Sequence, residues 1–144
     1  MVSTDELERV IEQCQRALNE LLKGNPEPNK AMFSHREDAT ILNPIGSLAH
    51  GWEQVAETIE SGSAQVSDGE ITSFETLEKY VTPQLAYVVW VERSRARVGG
   101  RQGVEPFDLR VTMIFRPEDD TWKVVHRHAD SISTPRPIES VIQD

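Results

Sequence analysis

Apolar residues recur at spacings of three and four near the start of the chain, which is the period of an amphipathic helix. This stripe runs from Leu7 to Leu22, and the preceding Ser3-Thr-Asp-Glu6 is typical of a helix N-terminus. Gly24, followed by a proline-rich segment, is expected to end the helix. A short helical turn over 29–34 and a further helix opened by Gly51-Trp52 are predicted after it.

From residue 71 onward the pattern changes to the alternation that is typical of strands. Strands are predicted over 71–81, with a bulge near its start, and over 85–98, 107–116 and 122–131, with short strands at 39–42 and 47–50. We therefore expect an α+β fold, in which a curved antiparallel sheet forms a cone and the N-terminal helices pack over its concave face. One domain is predicted over 1–131, followed by a C-terminal tail over 132–144.

The last predicted strand changes from apolar to ionisable along its length. Regular alternation places one set of side chains on a single face: Trp122, Val124, His126, His128 and Asp130. The opposite face then carries Lys123, Val125, Arg127 and Ala129. The first face is typical of a strand that runs from a packed core into the mouth of a pocket. His126, His128 and Asp130 are therefore candidate catalytic residues, since imidazole titrates near neutrality.

Composition narrows the classes of partner. The 144 residues carry a net charge of −9, which opposes binding to nucleic acid and to anionic membranes. No apolar run is long enough to span a bilayer, and the first residues are acidic where a secretory signal would be basic, so a cytoplasmic protein is expected. The single cysteine, Cys14, lies on the apolar helix stripe, and a buried, inert thiol is expected.

Several motifs in this order resemble one known family. They are Met32-Phe33, Asp38-Ala-Thr-Ile-Leu-Asn-Pro-Ile-Gly46, Gly51-Trp52, Leu109-Arg-Val-Thr112 and Trp122-Lys-Val-Val-His-Arg-His128. Over roughly residues 3 to 131 the chain resembles the SnoaL-like and ketosteroid-isomerase-like branch of the nuclear transport factor 2-like superfamily. The resemblance implies a cone of curved sheet closed by helices, a pocket inside the cone, and a homodimer.

Departures from the steroid isomerases are equally informative. Their general base is an Asp before the Pro of a turn, and here that position is Asn43, whose neutral amide cannot accept the proton. Their oxyanion hole needs a Tyr on the first helix and a neutral acid on the penultimate strand. Here the first helix has no Tyr, and the matching strand segment, Val111 to Met113, has no acid. Steroid-isomerase chemistry is therefore not expected. The polyketide cyclases of the branch use a His and an Asp, which His126, His128 and Asp130 could supply.

Pairing of neighbouring strands predicts a polar cluster of Glu92, Arg110 and His128, with Arg110 holding a carbonyl or carboxylate. The predicted ligand-binding residues are Asn43, Trp52, Trp90, Glu92, Arg110, Thr112 and Trp122. Tyr87 and Trp90 cannot both face inward on a regular strand. A purely structural alternative is a buried Glu–Arg pair beside a hydrogen-bonded histidine. The sequence shows no fourth ligand beside the His-x-His-x-Asp run, and we expect neither a metal nor another cofactor.

Three functions remain open at this point. The first is a homodimer that binds a small organic molecule, an anion being one option, in the cone, with no reaction assigned. The second is a cyclase, isomerase or hydratase that acts on a small hydrophobic carbonyl compound through His126 or His128 with Asp130. The third is an oligomerisation module with an incidental pocket, because the end of the chain also resembles the association domain of calcium/calmodulin-dependent kinases.

Overall fold

The computed structural model describes residues 3–142, and it confirms the predicted α+β fold. The helices are α1 (Thr4–Leu22), α2 (Glu27–Met32) and α3 (Trp52–Ala64). The strands are β1 (Thr40–Leu42), β2 (Leu48–His50), β3 (Val66–Val81), β4 (Ala86–Val98), β5 (Glu105–Glu118) and β6 (Thr121–Asp130). A 3₁₀ turn follows at Ile138–Val141. Residues 1, 2, 143 and 144, at the ends of the predicted domain and tail, lie outside the described residues.

Helix α1 begins and ends where the sequence predicts. The Ser3 hydroxyl accepts a hydrogen bond from the Glu6 amide at 3.3 Å, which satisfies one of the free N–H groups of the first turn. Its apolar stripe is buried and packs towards the sheet. Gly24 takes a φ of +93°, a conformation that favours glycine, and the helix ends just before it.

The six strands form one curved, open sheet in the order β2-β1-β6-β5-β4-β3. Strands β3 to β6 are an antiparallel meander, whereas β1 runs parallel to β6. Strand β3 begins at Val66, five residues before the predicted start, and its register shifts between Ile71 and Ser73 confirm the predicted bulge. The Asn19 side chain accepts a 2.7 Å hydrogen bond from the Ile71 amide, so α1 supports the bulged segment.

The two faces of the sheet have different environments. The inner face packs against the helices and supplies most of the core, including the fully buried Trp90, Phe115 and Trp122. What we call the outer face carries the side chains of Thr40, Leu42, Leu48, His50, Leu77, Tyr80, Tyr87, Val89, Val91, Arg110, Thr112, Ile114, His126, His128 and Asp130. Within residues 3–142, no helix is both long and apolar enough to cross a membrane.

Candidate functional site

A β-bulge at Val125 determines which side chains of β6 reach the core. Phe115 of β5 pairs with Val124 and Ile114 pairs with His126, so that Val125 is an extra residue. Beyond the bulge the inner-facing residues are Arg127 and Ala129, while His126, His128 and Asp130 lie on the outer face. The prediction that Trp122, Val124, His126, His128 and Asp130 share one face is therefore wrong. Regular alternation holds only for a strand without an inserted residue.

Arg127 forms a two-pronged ion pair with Glu92 on the inner face. Its Nη1 and Nη2 atoms donate to the two carboxylate oxygens at 2.8 and 2.9 Å. The indole N–H of Trp90 donates to the same carboxylate at 2.9 Å. The side chain of Glu92 is 2% exposed and that of Arg127 is 12% exposed. The predicted cluster of Glu92 with Arg110 and His128 is wrong, because those two side chains lie on the other side of the sheet.

The environment of this pair is strongly apolar. Burial acts to lower the pKa of Arg127, but the charge and hydrogen bonds of Glu92 outweigh burial and raise that pKa overall. Burial raises the pKa of the nearby Cys14 thiol to about 12, against the opposing positive charges of Arg127 and Lys123. Cys14 is thus a protonated, unreactive thiol at neutral pH, as the sequence predicts.

A second two-pronged pair lies on the outer face. Arg110 donates from Nε and Nη2 to the two oxygens of Asp130 at 2.8 and 3.0 Å. The hydrogen bonds from Arg110 hold the pKa of Asp130 below its usual value. Both oxygens of Asp130 accept from Arg110, and the expectation that Asp130 orients a histidine stays a prediction. Both side chains are solvated, with exposures of 55% and 35%.

The two histidines of β6 are neighbours on the outer face, with ring centroids 6.4 Å apart. The Nδ1 atom of His126 shares a 2.7 Å hydrogen bond with the hydroxyl of Thr40 on the adjacent β1. Burial, and to a smaller extent the charge of His128, lower the pKa of His126. Across residues 3–142, no group of three or more His, Cys, Asp or Glu side chains is arranged to hold a metal ion.

A cavity of about 340 Å³ opens on the outer face beside these residues. It is lined by Leu77, Val89, Trp90, Val91, Arg110, Val111, Thr112, His128 and Asp130. The structure thus brings together Arg110, Thr112, His128 and Asp130 from the predicted site, on the outer rather than the inner side. Two further cavities lie under the C-terminal tail and beside the β1–β2 turn. None of these three cavities lies between the helices and the inner face.

The remaining predicted ligand-binding residues already have partners within the fold. The side-chain oxygen of Asn43 accepts hydrogen bonds from the amides of Ile45 and Ser47, which shapes the β1–β2 turn. The indole N–H of Trp122 donates to the Ser3 carbonyl at 3.0 Å and anchors the start of α1. Trp52 stacks on the ring of His35 with centroids 3.6 Å apart. Their participation in ligand binding stays a prediction.

Arg127 is the residue that sequence reasoning missed. A signal for it was present, because Glu92 shares its strand face with Val88 and Trp90 and a buried carboxylate requires a partner. The residues two positions before and after Arg127 are Val125 and Ala129. Apolar residues at these positions are typical of an inward-facing side chain. The bulge that lets Arg127 face inward left no comparable mark on the sequence.

Comparison with known proteins now places the chain. Residues 15–135 match the model of the SnoaL-like domain. The chain belongs to the SnoaL-like domain family. No curated protein matches it significantly. The SnoaL-like fold is found in solved structures that share little sequence with it, and these likenesses concern the fold alone.

Three such structures align over almost the whole chain. A nuclear transport factor 2-like superfamily protein from Salmonella enterica serovar Typhimurium has a TM-score of 0.77 at 16% identity, with 94% of each chain covered. A ketosteroid isomerase-like protein from Erwinia carotovora has a TM-score of 0.74 at 17% identity, covering 90% of this chain and 96% of that one. A candidate association domain of calcium/calmodulin-dependent protein kinase type II from Thiobacillus denitrificans has a TM-score of 0.65 at 15% identity, covering 88% and 94%.

Proposed function

We propose that this SnoaL-like protein binds a small organic molecule on the inner side of its cone, at the Glu92–Arg127 pair. The observation that carries the proposal is a charged pair in an otherwise apolar core. Replacement of a buried ion pair by packed apolar residues is often neutral or stabilising, so stability alone does not account for its presence. A role of the pair as the polar anchor for a ligand accounts for its presence in the core.

The chemistry of the pair indicates the class of ligand. Glu92 engages Nη1 and Nη2 of Arg127, and a guanidinium carries five N–H donors in all. Arg127 keeps 12% of its side-chain surface exposed to solvent. The surrounding walls include Trp90 and Met113, which are apolar and buried. The ligand class that this chemistry favours is a small, mostly apolar compound with one carbonyl or carboxylate oxygen that accepts from Arg127. None of the three cavities reaches the pair, so such a compound would enter by displacing side chains packed beside Arg127.

A thermal-shift series with small carbonyl and carboxylate compounds tests this proposal. A ligand that binds only the native state raises the melting temperature. We expect at least one compound to do so for the native sequence and for Arg93→Met, a control next to Glu92 on the outer side of β4. The same compound should give no shift with Arg127→Met. An equal shift in the Arg127 variant, or no shift with any compound, contradicts the proposal.

Catalysis in the outer cavity is a second candidate function. The cavity joins His128, which could transfer a proton, to Arg110, which could hold a carbonyl oxygen, between the apolar Val89 and Val91. Asp130 would position Arg110 in this arrangement. Turnover of a small carbonyl compound should then be lost in His128→Gln and retained in His50→Gln, which changes an exposed histidine elsewhere on the same face. Equal turnover in the two variants rules this candidate out.

We also infer that the protein is a homodimer that pairs through the outer face. Large apolar side chains are exposed there, with Leu48 at 77%, Leu77 at 60% and Tyr80 at 59%. Six strands about 4.8 Å apart span roughly 26 Å, and a face about as long as it is wide has an area on the order of 700 Å². Stable interfaces bury a similar area, ~800 Å² per partner. A second copy would cover these side chains and enclose the outer cavity.

Sedimentation equilibrium tests the dimer. Leu77→Asp should shift the protein to a monomer, because it would bury a charge in the interface, whereas Val104→Asp, in the exposed β4–β5 loop, should not. A native protein that is monomeric at micromolar concentration contradicts the inference. We further propose that the protein is cytoplasmic and that it consists of one domain over 1–131 and a tail over 132–144.

A further inference from the structure

The C-terminal tail presents an apolar surface that its own domain does not cover. Every residue from 133 to 142 is exposed. Three of them are large and aliphatic, with Ile138 at 82%, Val141 at 73% and Ile142 at 70% exposure. Because a 3₁₀ turn has three residues per turn, Ile138 and Val141 lie on the same side of it. The tail thus carries a small, locally ordered apolar projection.

The position of the tail relates it to the outer face. It arches over a cavity of about 470 Å³ that is lined by Arg110 of the sheet and by tail residues that include Ile138 and Val141, so these two side chains do not pack tightly on their own domain. Arg110 also lines the outer cavity. The tail therefore leaves the domain at the margin of the outer face. Ile138 lies eight positions after Asp130, and an extended segment of that length can reach ~26 Å, about the width of a six-stranded sheet.

We propose that, in the dimer, the tail of each copy packs its Ile138 and Val141 side chains on the outer face of the other copy. This inference rests on the proposed homodimer. A second copy is the occupant that the structure favours, because it brings one tail and one outer face in equal number. A two-fold axis then covers both apolar surfaces with a single kind of contact.

Substitutions in the full-length chain test the contact through the dimer dissociation constant. Ile138→Ser combined with Val141→Ser should weaken the dimer by about tenfold to a hundredfold, as expected when two aliphatic side chains lose their burial. Glu139→Ser, in the same turn, should leave the constant within about twofold. If the double variant and this control dimerise equally well, the tail makes no contact across the interface and the proposal fails.

Cross-linking then distinguishes a contact between copies from one within a copy. Ile138→Cys on a size-tagged chain is mixed with an untagged chain that carries Leu48→Cys, Leu77→Cys or Tyr87→Cys, and the mixture is mildly oxidised. Cys14 does not interfere, because burial raises the pKa of its thiol to about 12. We expect a mixed-size product with at least one partner cysteine. Absence of a mixed-size product with all three partner cysteines, in a protein that is dimeric, overturns the proposal. A monomeric native protein removes the dimer itself, which is a separate failure.

Discussion

The two arginine–carboxylate pairs of the sheet are nearly identical in geometry and opposite in environment. Glu92–Arg127 on the inner face and Arg110–Asp130 on the outer face both have two hydrogen bonds between 2.8 and 3.0 Å. The first is almost fully buried, and the second is exposed to solvent. In water the attraction between such groups is small, whereas in the core each charge depends on its partner. The same contact is thus a surface feature in one place, whereas in the other each buried charge requires its partner.

The largest expected effect follows from removing one partner of each pair. Arg127→Met leaves Glu92 as a buried, unpaired carboxylate and should lower the free energy of unfolding by about 3–5 kcal/mol. Arg110→Met leaves Asp130 in contact with water and should change the melting temperature little. Urea denaturation of both variants measures this difference. Equal losses would show that the two environments do not differ as described.

The second effect concerns the bulge that separates the two regions. Deletion of Val125 removes the extra residue but leaves Arg127 in the inner register and His128 in the outer one, since alternation then becomes regular. We expect a folded protein that is less stable than the native one but more stable than Arg127→Met. Far-UV and near-UV circular dichroism show whether the variant is folded, and the urea midpoint measures its stability. An unfolded protein would instead mean that β6 carries no extra residue.

The smallest expected effect is a pH dependence confined to the outer face. Because burial lowers the pKa of His126, the folded state binds this proton less readily than the unfolded chain does. Its contribution to stability is therefore present above the unfolded pKa of about 6.5 and is lost as the pH falls through the lower folded value. Unfolding free energies measured between pH 7 and pH 5 should fall less steeply in His126→Gln than in the native protein.

His50→Gln is the matched control for this pH dependence, because His50 is an exposed histidine of the same face. It should retain the native slope. A native slope in His126→Gln, or a flattened one in His50→Gln, contradicts the assignment of this titration to His126.

The sequence predicted the fold well because its strongest signals are local. The stripe of α1, its Ser3 cap and its Gly24 terminus are encoded within a few residues, and all three are confirmed. The bulge near Ile71 was also visible, as a slip in the alternation of apolar residues. Motifs spread over most of the chain indicate the SnoaL-like family, and the domain match confirms it.

The candidate site was predicted less well because it depends on one unmarked residue. Val124 and Val125 are identical in type, so no change in polarity shows that one of them is extra. Every inference about which side of the sheet carries His126 and His128 depended on whether β6 contains an inserted residue before them. Arg116 illustrates a related limit, since its two hydrogen bonds to Asp38 join segments 78 residues apart in the chain. A sequence read in one dimension does not pair such residues.

The most direct test of the account is a double-mutant cycle for unfolding that couples Glu92→Leu first to Arg127→Met and then to His128→Met. If the bulge turns Arg127 into the core, the Glu92–Arg127 coupling free energy should reach about 2–3 kcal/mol. The Glu92–His128 coupling should be close to zero, because the two side chains lie on opposite faces. A large coupling to His128 with none to Arg127 would contradict the account.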